Sequence, residues 1–233
     1  MDELNFTVII PFYNEENTLR QAVNNLLSEN FANEILLVDD GSFDKSVQIA
    51  IDLERNNKII KLIKSNKNMG KGHALRIGIN ESKGVYLGVL DADLEYSPSD
   101  LNKLFMHIKN EELEVVCGSR FIGDNTRNNK YLRTYIANKF LSNLFSFIYK
   151  KKVTDIATCL KVFKKEILEN IRFESNGFSI EVELLAKTLS ISEKYKEYPI
   201  GYSARSYKDG KKIKFIDGFR YVISIFKFRS QQK

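Results

Sequence analysis

Residues 85–93 read Val-Tyr-Leu-Gly-Val-Leu-Asp-Ala-Asp, an apolar run that ends in two acidic residues. A run of this length is typical of a strand that is buried on both faces of a sheet. Two upstream runs, 6–11 and 34–38, have the same apolar character. The second of them is also followed by acidic residues, in Asp-Asp-Gly-Ser at 39–42. The sequence predicts a buried strand at each of these three runs.

Segments with apolar residues at helical spacing lie between the strands. The predicted helices cover 14–28, where Asn14 is the expected cap, 45–56, 71–82, a segment that begins at Ser97-Pro98, a segment containing 140–148, and 181–189. Further predicted strands cover 59–63, 114–117 and 196–200. Strands and helices alternate through residue 118. The sequence therefore predicts an α/β fold with a mostly parallel, doubly wound sheet and helices on both faces.

Polar clusters follow three of the predicted strands, at 11–15, 39–42 and 91–95. In an open parallel sheet, ligands bind beyond the carboxyl ends of the strands. We therefore expect these three clusters to lie together and to form a binding site.

The chain has the size and composition of one folded domain. It has 233 residues, of which 43% are hydrophobic and 28% are charged, and only 3 are Pro. We predict a single domain over 1–233, with a first half over 1–120, a second half over 121–207 and a basic C-terminal segment over 208–233. Two isolated cysteines and the lack of a visible export signal favour the cytoplasm.

The net charge of +6 indicates an anionic partner, such as nucleic acid, phospholipid or a phosphorylated small molecule. Basic residues are concentrated at 150–152 and 208–233. We exclude nucleic acid because no helix combines regular Lys or Arg with a recognition motif. Nowhere do 18 consecutive residues avoid charge. That pattern predicts at most surface association with a bilayer.

Asp91 and Asp93 place two carboxylates directly after a predicted strand, with Ala92 between them. Alternate residues of an extended segment point to opposite sides, so a shared ligand requires the chain to turn here. Carboxylate oxygens suit Mg²⁺ or Mn²⁺, which also keep positions for water and substrate phosphate. Glu95 can add a further oxygen to this metal site. The alternative interpretation is that these acids cap a loop before the next helix.

Gly70-Lys71-Gly72 precedes a predicted helix and can hold a phosphate through backbone N–H groups at the helix N-terminus. It matches neither GxxxxGK[ST] nor GxGxxG. A plain turn is the alternative. Asp39 and Asp40 can bind ribose hydroxyls or a base edge, or can belong to an acidic turn after the strand.

Arg120, Arg133 and Arg205 are candidates for contacts to a phosphate or diphosphate, because a guanidinium presents a planar fork of donors. Residues 208–212 read Lys-Asp-Gly-Lys-Lys and predict a flexible basic loop that folds over a bound diphosphate. The alternative for each of these groups is a solvated surface.

The C-terminal segment has apolar residues at helical spacing, namely Phe215, Ile216, Phe219, Val222, Ile223 and Phe226. Basic residues are interleaved with them. Such a helix can lie on an anionic bilayer with its aromatic residues in the interface. Packing on the protein core is the alternative. The same two interpretations apply to 140–148, which precede the basic residues 150–152, and we favour membrane contact in both cases.

Several of these segments belong to an ordered set of motifs that covers nearly the whole chain. In the first half the motifs are Val8–Glu16, Val38–Ser42, Asn68–Gly72, Asp91–Leu94 and Gly118–Phe121. In the second half they are Asp155 with Thr158–Phe163, Gly177–Phe178, Glu183, Tyr198–Ile200, and Arg205–Tyr207 with Gly210–Lys212. Together they resemble the family 2 glycosyltransferases with a GT-A fold, particularly the branch of dolichol-phosphate mannose synthase and polyprenyl-phosphate hexose synthases.

This resemblance implies that 1–120 form the nucleotide-sugar-binding half and 121–207 the acceptor-side half. The residues implied in donor binding are Pro11, Tyr13, Glu15, Val38, Asp40, Lys71, Asp91, Ala92, Arg120, Arg205 and Lys211. The residues implied near the acceptor phosphate are Arg133 and Asn138. We take Asp93, Arg120 and Arg205 as the catalytic candidates, with Asp93 as the principal metal ligand. The family's synthases commonly have Gln at the position of Glu95, and a second acid there can tighten metal binding or indicate a different donor sugar.

The resemblance also implies a reaction, the transfer of a hexose from a UDP- or GDP-sugar to a polyprenyl phosphate, dependent on Mg²⁺ or Mn²⁺. A phosphate monoester has a second pKa of roughly 6 and is already an anion at pH 7. We therefore predict direct displacement with inversion and without a general base. The expected location is the cytoplasmic face of a membrane, and the expected protein partner is either a membrane protein or a second copy of the chain.

Two further hypotheses fit the same motifs. The first is a family 2 transferase that acts on a sugar hydroxyl in polysaccharide or glycolipid synthesis, which would need a carboxylate base. The second is a non-catalytic subunit that binds nucleotide or lipid at the membrane surface.

Overall fold

The computed structural model describes residues 6–123, 132–205 and 215–230. The strands are Phe6–Phe12 (β1), Glu34–Asp39 (β2), Ile60–Lys64 (β3), Tyr86–Val89 (β4), Val115–Ser119 (β5), Lys161–Lys164 (β6) and Tyr195–Pro199 (β7). The helices are Leu19–Ser28 (α1), Ser46–Asn56 (α2), Lys71–Glu81 (α3), Pro98–Asn110 (α4), Leu132–Tyr149 (α5), Lys165–Glu169 (α6), Ile180–Ile191 (α7) and Phe215–Ser230 (α8).

All seven strands form one sheet in the order β3-β2-β1-β4-β6-β5-β7. The pairs within β3-β2-β1-β4 are parallel, and β5 is parallel to β7. Strand β6 is antiparallel to both of its neighbours, β4 and β5. The prediction of a mostly parallel sheet is confirmed.

Helices cover both faces of this sheet, because each central strand is apolar on both sides. In β1, Phe6, Val8 and Ile10 pack on one face with α1, α2 and α4, while Ile9 packs on the other with α3, α5, α7 and α8. Removing one large apolar side chain from water contributes about 1.5–3 kcal/mol. Packing of these two apolar layers therefore fixes the register of the strands. The register in turn fixes the edge of the sheet at which the polar residues after the strands lie.

The first helix begins later than the sequence predicts. Asn14 does not cap it but has a left-handed backbone, with φ of 50°. Its amide donates to Ser42 Oγ at 2.9 Å, and its Oδ1 accepts from the Phe43 amide at 3.0 Å. Asn14 therefore ties the loop after β1 to the loop after β2, and α1 starts at Leu19. Strand β6 and the short helix α6 were not predicted.

Helices α5 and α8 pack against each other, and the Tyr149 hydroxyl donates to the Ile225 carbonyl at 2.9 Å. Each helix buries one side in the core and exposes large apolar residues on another. The exposed residues are Leu132, Ile136, Phe140 and Phe147 of α5 and Phe219, Ile223 and Phe226 of α8. Within the described parts of the chain, no helix has the length and hydrophobicity needed to cross a bilayer.

Candidate active site

A cavity of about 630 Å³ opens at the carboxyl ends of β1, β2 and β4. The predicted convergence of the three polar clusters is confirmed, because all of them contribute to its lining. The predicted site residues that line it are Pro11, Tyr13, Glu15, Asp40, Lys71, Asp91, Ala92, Asp93, Glu95, Arg120, Asn138 and Arg205. The cavity is also lined by Thr134 and Leu141 of α5 and by Gly218 and Tyr221 of α8.

Two of the predicted site residues that the structure describes, Val38 and Arg133, do not line this cavity. Val38 is fully buried in the apolar core beneath the sheet edge. Arg133 lies exposed on α5. Lys211 lies outside the described residues.

Asp93 carries a carboxyl group whose pKa is strongly raised. Burial, together with the nearby charges of Asp91 and Glu95, raises the pKa of Asp93 from 3.8 to about 7. Its Oδ1 accepts the Glu95 amide at 3.0 Å, and its Oδ2 lies 3.7 Å from Arg205. A buried carboxylate between two others is stabilised by taking up a proton or a cation.

The donor chemistry around Asp93 fits a divalent metal that shares its coordination with a ligand. Among the residues described, no group of three or more His, Cys, Asp or Glu side chains is arranged to hold a metal ion. Mg²⁺ is commonly bound through one or two carboxylates, completed by water and substrate phosphate oxygens. Asp93 can supply such a carboxylate, whereas Asp91 is engaged by Lys71 at 2.7 Å.

Glu95 joins residues 202–205 to the loop that carries Asp93 through hydrogen bonds. Its Oε2 accepts from the Tyr202 hydroxyl at 3.0 Å, and its Oε1 accepts from the Arg205 amide at 2.9 Å. Its backbone carbonyl also accepts the Ser203 amide at 2.9 Å. In this arrangement Glu95 shapes the site through 202–205, a role that its spacing from Asp93 did not indicate.

Arg205 is brought to the cavity by this segment and forms an ion pair across the site. Its two terminal nitrogens bond to the Glu15 carboxylate at 3.1 and 3.0 Å. Glu15 also accepts from the hydroxyl of Thr18 at 2.8 Å. Arg205 thus joins the loop after β1 to the loop that carries Asp93, although it lies 190 residues from Glu15 in the chain.

Arg120 reaches the cavity from the end of β5 and is held by a fully buried partner, Asp155. Its Nε donates to Asp155 Oδ2 at 2.7 Å and its terminal nitrogen donates to Oδ1 at 2.8 Å. The guanidinium also lies 4.9 Å from the centre of the Tyr202 ring, as a cation–π contact. Asp155 belongs to one of the sequence motifs, but no role was predicted for it. The structure shows that it orients Arg120.

Lys71 is a further cation at the site. Its Nζ lies 2.7 Å from Asp91 Oδ1 and 2.9 Å from Glu181 Oε1. Burial alone would lower the pKa of Lys71, but Asp91 and Glu181 outweigh burial and raise it well above its ordinary value. Lys71 therefore stays charged. Glu181 begins the predicted helix 181–189 but was not expected at the site.

The backbone amides around Gly70-Lys71-Gly72 do not form a phosphate cradle. The amides of Met69 and Gly70 donate to the Asp40 carboxylate at 2.9 and 2.7 Å. The amide of Gly72 donates to the Asn176 carbonyl at 2.6 Å. The cradle interpretation is wrong because these donors are already satisfied, and Gly72 is needed because a Cβ there would collide with the Ser175 carbonyl oxygen.

Comparisons with known proteins agree with this architecture. The model of the family "Glycosyl transferase family 2" matches residues 7–172, well over half of the chain. A solved structure of glucosyl-3-phosphoglycerate synthase from Mycobacterium tuberculosis, with Mn²⁺, UDP and glucosyl-3-phosphoglycerate, superposes with a TM-score of 0.76 at 16% identity. The match covers 98% of this chain and 81% of that one. A structure of the same enzyme with Mg²⁺ and UDP gives a TM-score of 0.74, also at 16% identity, and covers 98% of this chain and 80% of that one.

Curated relatives are similar over most of the chain. Dolichol-phosphate mannosyltransferase from Pyrococcus furiosus is 30% identical over 95% of this chain, which spans 62% of that relative's length. UDP-N-acetylglucosamine–dolichyl-phosphate N-acetylglucosaminyltransferase from Methanococcus voltae is 32% identical, and the match covers 77% of this chain and 79% of that relative's length. Dolichyl-phosphate beta-glucosyltransferase from Dictyostelium discoideum is 28% identical, and the match covers 99% of this chain and 79% of that relative's length.

These relatives come from the branch to which the sequence motifs pointed, so the resemblance drawn from the sequence is confirmed. The mostly parallel sheet with helices on both faces is the GT-A architecture of the structural neighbours. The chain is therefore a glycosyltransferase with a GT-A fold, and it belongs to glycosyltransferase family 2.

Proposed function

We propose that the protein transfers a hexose from a UDP- or GDP-sugar to a polyprenyl phosphate, with inversion and with the help of Mg²⁺ or Mn²⁺. The observation that carries this proposal is the position of the cavity. Its lining combines the carboxylates at the sheet edge with residues of α5 and α8, two helices that expose large apolar residues. A polar donor and a lipid-linked acceptor could therefore approach the same space.

The donor side is supported by charge and by similarity. Arg120, Lys71 and Arg205 bring positive charge to the cavity that Asp93 lines, which suits a diphosphate and its metal. Structural neighbours of the same fold were solved with UDP and Mn²⁺ or Mg²⁺. Three curated relatives are named as enzymes that act on dolichyl or dolichol phosphate.

The contacts of the carboxylates that line the cavity favour an acceptor whose attack needs no general base. Of the described carboxylates of the lining, Glu15, Asp91 and Glu181 are paired with Arg205 or Lys71, Asp40 and Glu95 hold backbone amides, and Asp93 is assigned to the metal. A sugar hydroxyl would need one of them to remove its proton. A phosphate acceptor is already ionised, so its oxygen can attack directly.

In the proposed reaction, an acceptor phosphate oxygen forms a bond to the anomeric carbon while the bond from that carbon to the diphosphate oxygen breaks. The electron pair leaves with the nucleoside diphosphate, and the anomeric configuration inverts. A bound Mg²⁺ or Mn²⁺, held by Asp93, would neutralise charge on the leaving diphosphate. Arg120 and Lys71 contribute further positive charge there, and the ion pair with Glu15 holds Arg205 beside them.

The proposal is tested by transfer of radiolabelled sugar from a panel of UDP- and GDP-sugars to polyprenyl phosphate, with and without Mn²⁺ or Mg²⁺. We expect metal-dependent label in the organic phase from one donor class, with an inverted anomeric configuration. A set of saccharide acceptors serves as the matched comparison. Label found only on saccharides would replace the lipid-phosphate acceptor with a sugar hydroxyl, and a retained configuration would contradict the single displacement.

We further propose that the protein works as a peripheral protein on the cytoplasmic face of the membrane, alone or with a membrane-protein partner or a second copy. The exposed apolar residues of α5 and α8 support this proposal. Both helices also supply residues to the lining of the cavity, such as Asn138 and Tyr221. A bilayer in contact with these helices would deliver a lipid phosphate next to the donor.

Phe219→Ser combined with Ile223→Ser is expected to weaken binding to vesicles by about tenfold or more, because two exposed apolar side chains no longer enter the interface. The measurement is co-sedimentation with vesicles that contain phosphatidylglycerol. Ile191→Ser is the control, since Ile191 has similar exposure, 59%, at the far end of α7. Equal loss in both variants would contradict a specific membrane face.

A further inference from the structure

A chain of alternating charges runs from the cavity into the protein interior. It begins at Asp91, passes through Lys71 to Glu181, and ends at Lys161. Lys161 Nζ pairs with Glu181 Oε2 and also donates to the Thr158 carbonyl. The side chain of Lys161 is 0% exposed and that of Glu181 is 3% exposed. The four charges sum to zero, so this cluster holds no uncompensated ion.

The members of this chain come from separate elements. Asp91 follows β4, Lys71 begins α3, Glu181 lies in the first turn of α7, and Lys161 begins β6. Strand β6 lies between β4 and β5 and pairs with both, so the backbone at Lys161 is held inside the sheet. Lys161 is therefore held rigidly, and its ion pair with Glu181 fixes the position of the Glu181 carboxylate.

Glu181 restrains Lys71 from the side opposite Asp91. A lysine side chain is flexible and carries a compact charge, so a single carboxylate partner would leave it free to follow other anions. Burial would raise the pKa of Glu181, but Lys161 and Lys71 outweigh it and lower the pKa, which keeps the carboxylate charged. With carboxylates on two sides, the ammonium stays between Asp91 and Glu181.

We propose that Glu181, held from behind by Lys161, is a positioning residue that keeps Lys71 and Asp91 in place for binding the nucleoside diphosphate. This inference rests on the proposed donor site. It assigns a role to two buried residues, of which Glu181 lines the cavity and Lys161 lies behind it. The competing explanation is that the pair only supports packing of β6 against α7.

Two variants separate positioning from packing. In Glu181→Gln alone, Lys161 is left as an unpaired buried charge, so the melting temperature should fall markedly. In Lys161→Met/Glu181→Gln, both charges are gone, and the melting temperature should return towards that of the wild type because a buried ion pair is often replaceable without loss. The double variant nevertheless lacks the Glu181 carboxylate that restrains Lys71. The Kd of this variant for UDP or GDP with Mn²⁺ should therefore rise by about 10–100-fold.

The binding measurement is titration calorimetry of UDP and of GDP in the presence of Mn²⁺. Leu189→Ala is the control for lost stability, because Leu189 is buried in α7 about two turns beyond Glu181 and its truncation leaves a cavity without removing a charge. This control should lower the melting temperature and leave the Kd unchanged. A double variant that binds as tightly as the wild type would overturn the positioning role. Failure of the wild type to bind either nucleotide would overturn the proposed donor site, and this inference with it.

Discussion

Asp93→Asn is expected to lower kcat/KM for sugar transfer by about 10³-fold, because it removes the charge proposed to hold the metal beside the leaving diphosphate. Asn keeps the size of the side chain, so the fold should stay intact. The measurement is transfer of radiolabelled sugar at saturating Mn²⁺. Asp52→Asn is the control, since Asp52 is an acidic residue of α2 whose ion pair with Arg20 is solvent-exposed. Wild-type activity in the Asp93 variant would contradict the proposed role.

The same substitution should stabilise the metal-free protein, and this separates lost chemistry from lost folding. The pKa of Asp93 is about 7 in the folded protein and 3.8 ordinarily, so the folded state binds this proton more tightly than the unfolded state. The ionised group therefore destabilises the fold increasingly as the pH rises from 4 to 7, and by a constant amount above that. In Asp93→Asn we expect the free energy of unfolding to rise by about 2–4 kcal/mol near pH 8, with a gain that shrinks towards pH 4.

Urea unfolding in EDTA at several pH values checks this second effect. Activity lost together with stability at every pH would mean that the amide side chain disturbs the fold, and that outcome would remove the support for a metal ligand. Activity lost with stability gained above pH 7 is the pattern expected of a carboxylate whose charge serves binding rather than folding.

The first half of the fold was predictable because its strands are continuous apolar runs that end in polar clusters. Such runs suit strands covered on both faces, and the parallel order then brings their carboxyl ends to one edge. Strand β6 was missed for the opposite reason. It begins and ends with lysine, and Lys161 is compatible with the interior only through Glu181, which lies 20 residues away. No local pattern indicates such a partner.

The sequence predicted many of the residues that line the site, but not the hydrogen bonds and ion pairs that join them. Glu15, Asp93 and Arg120 could be assigned from short motifs, and they do line one cavity. Their partners depend on tertiary contacts between distant segments, such as the pair of Arg205 with Glu15. The cradle at 70–72 was wrong for the same reason, because the carbonyl that satisfies Gly72 belongs to Asn176, more than 100 residues later.

Asp155→Asn is expected to destabilise the protein by about 3–5 kcal/mol, because it leaves the Arg120 guanidinium as a buried charge without its counter-ion. The Arg120 side chain is only 10% exposed and that of Asp155 is 0% exposed. An amide can replace at most one of the two carboxylate oxygens that now accept from Arg120, and its NH₂ group faces an N–H donor. The measurement is urea unfolding at neutral pH, with the wild type as reference.

The control for burial is Glu81→Gln, which neutralises one partner of the surface pair between Lys61 and Glu81. That pair is 2.9 Å long, close to the 2.7 Å of Arg120 with Asp155, but its side chains are 45% and 51% exposed. We expect little or no change in its unfolding midpoint, because water and salt screen an exposed pair. Similar destabilisation in the two variants would contradict the argument that burial gives the Asp155 contact its strength. If Asp155→Asn unfolds as the wild type does, the buried charge of Arg120 does not need Asp155 as its counter-ion, and the proposed effect of burial on this pair is wrong.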